Sequence, residues 1–198
     1  MPPGAYSSVP AAGPTTNALA EALFDTALKR AKELDDYLAT TGKPLGPLHG
    51  IPMTVKDQFN VQGYDTSLGY VGRAFKPATS DADVVKVLKD AGVVFIAKTN
   101  LPQSIMWCET ENNLFGLTTH PMNRDLTPGG STGGEGALIA LKGSLFGWGT
   151  DLGGSVRIPA HLCGLYGLRP SVSRLVTGQS AELIRTNRRP DCHMRVCP

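Results

Sequence analysis

The chain has 198 residues, 41% of them hydrophobic and 18% charged, which is enough to bury one substantial core and unlike the composition of disordered or fibrous proteins. A formal charge of +2, with Lys and Arg scattered along the chain, excludes the concentrated basic surface that nucleic acid or an anionic membrane would need. There is no uncharged run of about 18 apolar residues, and Met1-Pro-Pro-Gly-Ala5 has no basic and then apolar leader pattern, so the expectation is a cytoplasmic protein with no membrane partner.

Residues 1–16 hold four prolines and two glycines among small polar residues and read as a flexible arm. Asn17 reads as an N-cap, and Leu19, Leu23, Ala27, Ala31, Leu34 and Leu38 recur every three or four residues, which predicts one amphipathic helix. Asp25–Lys29 and Lys29–Glu33 are spaced to pair along its solvated face. Pro44 to Pro52 breaks the helix, and Ile51–Val55 predicts a short buried strand ending at Lys56-Asp57. Ser80 and Asp81 can cap a helix that runs through Asp90 and stops at Gly92; Val93–Ala97 follows as an apolar strand. Strand, helix and strand predict a parallel crossover and an α/β class.

From 102 to 132, Pro102, Pro121 and Pro128 favour loops. Beyond them, Gly134–Leu141 predicts a helix, Ser144–Gly149 a strand, and Ser155–Cys163 a helix that opens after a Gly-Gly pair. The four cysteines, Cys108, Cys163, Cys192 and Cys197, form no CxxC pair and lack the histidine spacing of a zinc site. They read as reduced thiols, with no metal or organic cofactor implied.

Two glycine-rich segments each carry a serine: Pro128-Gly-Gly-Ser131-Thr-Gly-Gly-Glu-Gly136 and Gly149-Thr-Asp-Leu-Gly-Gly-Ser155-Val-Arg-Ile-Pro159. Such runs can bring several backbone N–H groups to one developing oxyanion, although either run alone reads equally as a tight turn with a solvated serine. A serine hydroxyl is a poor nucleophile until a base removes its proton, and a poor leaving group then needs an acid. A lysine in a position such as that of Lys56 could do both only if held neutral, which means bringing its pKa down from about 10.4 to near neutrality, a differential cost of ~4 kcal/mol supplied by burial. Its place at the end of an apolar strand fits that demand, against the alternative of an ordinary surface lysine.

Taken together with Val55-Lys56-Asp57, these segments resemble the amidase signature family, especially its acetamidase-like branch. The resemblance covers most of residues 18–175. It includes Gly46-Pro-Leu-His-Gly-Ile-Pro52, Lys98-Thr-Asn-Leu-Pro102, Asn123-Arg-Asp-Leu-Thr-Pro128, Gly164-Leu-Tyr-Gly-Leu168 and Leu168-Arg-Pro170. It implies an amidase signature fold, a mixed sheet flanked by helices, and hydrolysis of small aliphatic amides such as acetamide through an acyl-serine. By motif, Lys56 matches the catalytic lysine, Ser131 the bridging serine that follows a cis peptide bond, and Ser155 the nucleophile. The N–H groups of Leu152, Gly153, Gly154 and Ser155 match the oxyanion hole.

Asp151 and Arg157 match positions of structural role beside that loop. Thr132 stands where the family usually has serine, a change that keeps the hydroxyl and adds a methyl to be packed. Ile105 and Met106 align with a stretch lining the acyl pocket; ordinary core packing is the alternative. Gly129-Gly-Ser131-Thr-Gly133 also fits the nucleophile elbow of the α/β-hydrolases, but no strand precedes it. No GxxxxGK[ST] loop occurs.

Relatives continue beyond Arg169-Pro170, so the expectation is a domain over 17–175 incomplete at its C-terminal side, with 176–198 a divergent, disordered tail. Arg185–Pro198 is basic, contains Cys and Pro, and has no apolar periodicity. A catalytically inactive truncated fragment is the competing expectation. Nothing in the sequence signals an oligomeric state.

Overall fold

The computed structural model describes residues 16–171 and 174, and the backbone of 193–197. The expected arm over 1–16 lies outside the described residues except for Thr16. In chain order the elements are β1 (Leu19–Ala22), α1 (Phe24–Thr41), β2 (Pro52–Lys56), α2 (Asp83–Asp90), β3 (Val94–Thr99), β4 (Glu111–Asn112) and β5 (Gly116–Leu117). They continue as α3 (Gly133–Ala140), β6 (Gly147–Thr150), α4 (Arg157–Leu162), β7 (Tyr166–Leu168) and β8 (His193–Cys197). Six strands form one mixed sheet in the order β1-β3-β2-β6-β8-β7, and β4-β5 is a separate ladder.

The centre of the sheet is parallel: β2 pairs β3 on one side and β6 on the other. The β2–α2–β3 unit is the predicted crossover. Met53, Val55, Phe59, Val84, Val85, Leu88, Val93 and Phe95 form the main core between that sheet and its helix. Gly92 turns the chain from α2 into β3 at φ +98, where a Cβ would come within 2.5 Å of His49 Cα. No helix among the described residues is long and apolar enough to cross a membrane. Cys108 and Cys163 are free thiols.

The structure corrects several boundaries. The helix expected from Asn17 begins at Phe24, because residues 19–22 instead pair antiparallel with β3. Ala18 and Ala20 are buried in alternation, and the open edge of β3 outweighs the helix propensity of Ala, Leu and Glu. Asn17 has φ 56, and its side-chain amide donates to the Phe115 and Leu117 carbonyls. On α1 the ion pairs are Arg30–Glu33 and Lys32–Asp36 rather than the two pairs expected from spacing.

Ala82, without a side-chain cap, precedes α2. Asp81 instead accepts the Gln62 N–H at 2.8 Å and pairs with Lys89 at 2.6 Å. The expected disordered tail does not hold for 193–197, whose backbone bridges β6 and β7 as strand β8. Main-chain pairing between two open edges requires no apolar periodicity. Residues 176–192 and 198 lie outside the described residues.

Candidate active site

Three parallel strands end at one level, and the candidate site lies there. Lys56 closes β2, Thr99 closes β3 as its register partner, and Thr150 closes β6. In open α/β sheets the crevice beyond the carboxyl ends of the strands is where ligands bind. Lys56 has no exposed surface. Its Nζ is hydrogen-bonded to Ser131 Oγ at 2.6 Å and to Thr150 Oγ1 at 3.1 Å, and Thr150 Oγ1 in turn donates to Gln58 Oε1 at 2.7 Å.

Burial lowers the Lys56 pKa from 10.5 to about 7, against the opposing charges of Asp151 and Glu135. Among the described residues no carboxylate lies within ion-pair distance of this amine. A second enclosed lysine, Lys98 on β3, does have one: Asp57 Oδ1 lies 3.2 Å from its Nζ. Thr66 Oγ1 and the Asp65 carbonyl also accept from it.

Ser131 is buried in the loop leading to α3, and the Gly130–Ser131 peptide is cis. Thr110 fastens this loop on both sides, donating its hydroxyl to the Gly129 carbonyl at 2.9 Å and accepting the Gly133 N–H at 3.1 Å. Thr132 N–H donates to the Ser155 carbonyl at 3.0 Å, so the two glycine-rich segments are joined one residue beyond Ser131. The extra methyl of Thr132 finds its space at Gly149, where a Cβ would come within 2.4 Å of Thr132 Cγ2. Its hydroxyl retains a bond to the Thr150 carbonyl, at 3.4 Å.

The segment carrying Ser155 is shaped by Asp151, which is fully buried. Its carboxylate accepts from the backbone of Gly154 (2.8 Å), Val156 and Arg157 (each 3.2 Å), and from the Arg157 guanidinium at 3.0 and 2.8 Å. Burial alone would raise its pKa, but the Arg157 and backbone donors outweigh that and bring it down to about 2. Arg169 adds a second cation 3.5 Å away.

One expectation changes here. The Gly154 N–H, expected in the oxyanion row, donates to Asp151 Oδ1 at 2.8 Å. The amides of Leu152, Gly153 and Ser155 have no protein acceptor among the described residues. Leu152 and Gly153 are exposed and Ser155 is half-buried.

Ile105 is half-buried and Met106 is 57% exposed, so neither is a core residue. Their segment runs beside the site, since a Cβ on Gly130 would meet the Trp107 carbonyl oxygen at 2.8 Å. Sequence reasoning missed three polar groups: Thr110, Thr150 and Glu135. For Glu135 a signal existed, a lone carboxylate in the otherwise apolar, glycine-rich helix GGEGALIA, which has no polar face to hold it. Its carboxylate accepts from Thr54 Oγ1 at 2.6 Å and from Thr99 Oγ1 at 3.0 Å.

The model of the Amidase family matches residues 5–184. The chain belongs to that family. It is 61% identical over 159 residues to Amidase 1 of Gibberella moniliformis, covering 80% of this chain and 30% of that protein. It is 49% identical to the acetamidase of Emericella nidulans, with 81% and 29% covered. Among solved structures, fatty acid amide hydrolase superimposes with a TM-score of 0.81 at 40% identity, over 84% of this chain and 29% of that one. The native peptide amidase of Stenotrophomonas maltophilia does so with a TM-score of 0.70 at 33% identity, covering 78% and 32%. The mixed α/β sheet is thus the Amidase family fold, and the chain spans about a third of the length of these relatives.

Proposed function

We propose that the chain carries the catalytic centre of an amidase that hydrolyses small-molecule carboxylic amides through an acyl-enzyme on Ser155. The observation that carries this reading is the 2.6 Å contact between the enclosed Lys56 amine and Ser131 Oγ. With its pKa near 7, Lys56 is partly neutral at physiological pH and can accept the proton that Ser131 relays from Ser155. Ser155 Oγ attacks the carbonyl carbon, and the oxyanion forms against the open amides of Leu152, Gly153 and Ser155. The proton returns through Ser131 to the departing nitrogen, ammonia or an amine leaves, and water then releases the acid.

Ile105 lines the acyl side of the pocket in this reading, and similarity to a protein named acetamidase supports acetamide, a small aliphatic amide, as the kind of substrate. Asp151 and Arg157 hold the nucleophile loop in shape, and Thr132 ties the two serine segments together. A fluorophosphonate probe tests the assignment: wild-type protein should be labelled at Ser155 and should release ammonia from acetamide, and Ser155→Ala should do neither. A monodisperse wild-type protein that takes no label would overturn it.

A further inference from the structure

Glu135 is an enclosed carboxylate to which the proposed reaction gives no task. It sits four residues beyond Ser131, on α3, and the hydroxyls that bind it belong to the immediate surroundings of Lys56. Thr54 precedes Lys56 by two residues on the same face of β2, and Thr99 is the register partner of Lys56 on β3. Each hydroxyl serves one carboxylate oxygen, Thr99 at Oε1 and Thr54 at Oε2. Gly147, opposite Thr54 on β6, leaves the room for this, since a Cβ there would come within 1.8 Å of Glu135 Oε2.

Among the described residues, the charged groups bearing on Lys56 are Asp151, the larger, and Glu135. Asp151 is answered by Arg157 at 2.8 Å and Arg169 at 3.5 Å. Glu135 forms no ion pair among the described residues, so its charge acts on Lys56 without a competing cation. Burial opposes that charge, while the Thr54 and Thr99 hydroxyls and the Lys56 amine favour it.

We infer that Glu135 is a positioning residue for the proton on Lys56: its carboxylate, fixed to the sheet by Thr54 and Thr99, joins Asp151 in favouring the protonated form of the enclosed amine. The inference rests on the reading of Lys56 as the base. Amide cleavage needs that amine in both roles, first taking the serine proton and then giving it to the leaving nitrogen. Burial alone favours only the neutral form.

Glu135→Gln keeps the shape and removes the charge; its amide oxygen still accepts from one threonine hydroxyl, and its amide NH2 must instead donate to the other. The titration of Lys56 can be followed by NMR of its ε-carbon, assigned by loss of the signal in Lys56→Met. In Glu135→Gln the Lys56 midpoint should fall by about one pH unit, roughly a tenfold loss of proton affinity, and the acid limb of fluorophosphonate labelling at Ser155 should move with it. An unchanged midpoint in the folded variant would overturn the inference, whatever the labelling does. A lowered midpoint with no labelling of either protein would leave the inference standing and remove the amidase reading. Should Glu135→Gln show no cooperative unfolding transition, Thr99→Val takes its place: losing one hydroxyl donor weakens the ionised carboxylate, so the Lys56 midpoint must again fall, and an unchanged one overturns the inference.

Discussion

Lys56 and Lys98 lie on adjacent parallel strands, both without exposed surface, and only Lys98 has a carboxylate within ion-pair distance. Asp57, the sequence neighbour of Lys56, points to the other face of the sheet and answers Lys98 instead. One lysine is therefore a structural cation, and the other is an amine held among hydroxyls by Ser131 and Thr150.

The two lysines should respond oppositely to removal. Lys98→Met leaves the Asp57 carboxylate buried without its cation, and we expect a loss of about 3–5 kcal/mol in urea unfolding. Lys56→Met removes hydrogen bonds to two hydroxyls but also the cost of keeping a buried lysine neutral, so its stability at pH 7 should be no lower than that of wild type while labelling at Ser155 disappears.

Stability should depend on pH through the same buried groups. Between pH 7 and 9 the unfolded chain keeps the Lys56 proton and the folded one does not, so stability rises with pH there, by up to about 1.4 kcal/mol per pH unit; above pH 9 the Cys163 thiol, raised by burial from 9.0 to about 12, offsets that gain. Burial raises the Glu135 pKa from 4.5 to about 7, against its hydroxyl donors and Lys56. The folded chain therefore holds that proton longer, and stability falls as pH rises from 4.5 to 7. Denaturation across pH should show Lys56→Met losing the alkaline slope and Glu135→Gln losing part of the acid one. The remainder belongs to Glu21, which burial also raises to about 7.

Thr110→Val tests the fastening of the Ser131 loop. The Gly129 carbonyl and Gly133 N–H would both lose their partner, at an expected cost of about 1–3 kcal/mol in thermal unfolding. Labelling at Ser155 should slow more than it does in Thr110→Ser, which keeps the hydroxyl.

Gly147→Ala should be destabilising by about 1–3 kcal/mol, because its methyl would overlap Glu135 Oε2 in a closed site. Combining it with Glu135→Ala, which vacates that space, should recover part of the loss. Additive losses in a double-mutant cycle would refute the contact.

What the amino-acid order determined by itself was local. The apolar runs before Lys56 and through Val94–Thr99 specify buried strands, Gly92 specifies the turn between helix and strand, and the serines among glycines specify two tight segments with amides to spare. These are matters of periodicity, propensity and φ, which act over a few residues. Only the tertiary structure decided which enclosed lysine keeps a counter-ion, because successive side chains on a strand face opposite sides of the sheet and Asp57 crosses to Lys98 rather than staying with Lys56. The third dimension likewise decided that residues 19–22 join an open strand edge instead of a helix and that Gly154 spends its N–H on Asp151. It also brought Glu135 against Thr54 and Thr99, residues 81 and 36 positions away in the chain. Contacts of that range are set by which strands lie side by side, and no short window of sequence carries that.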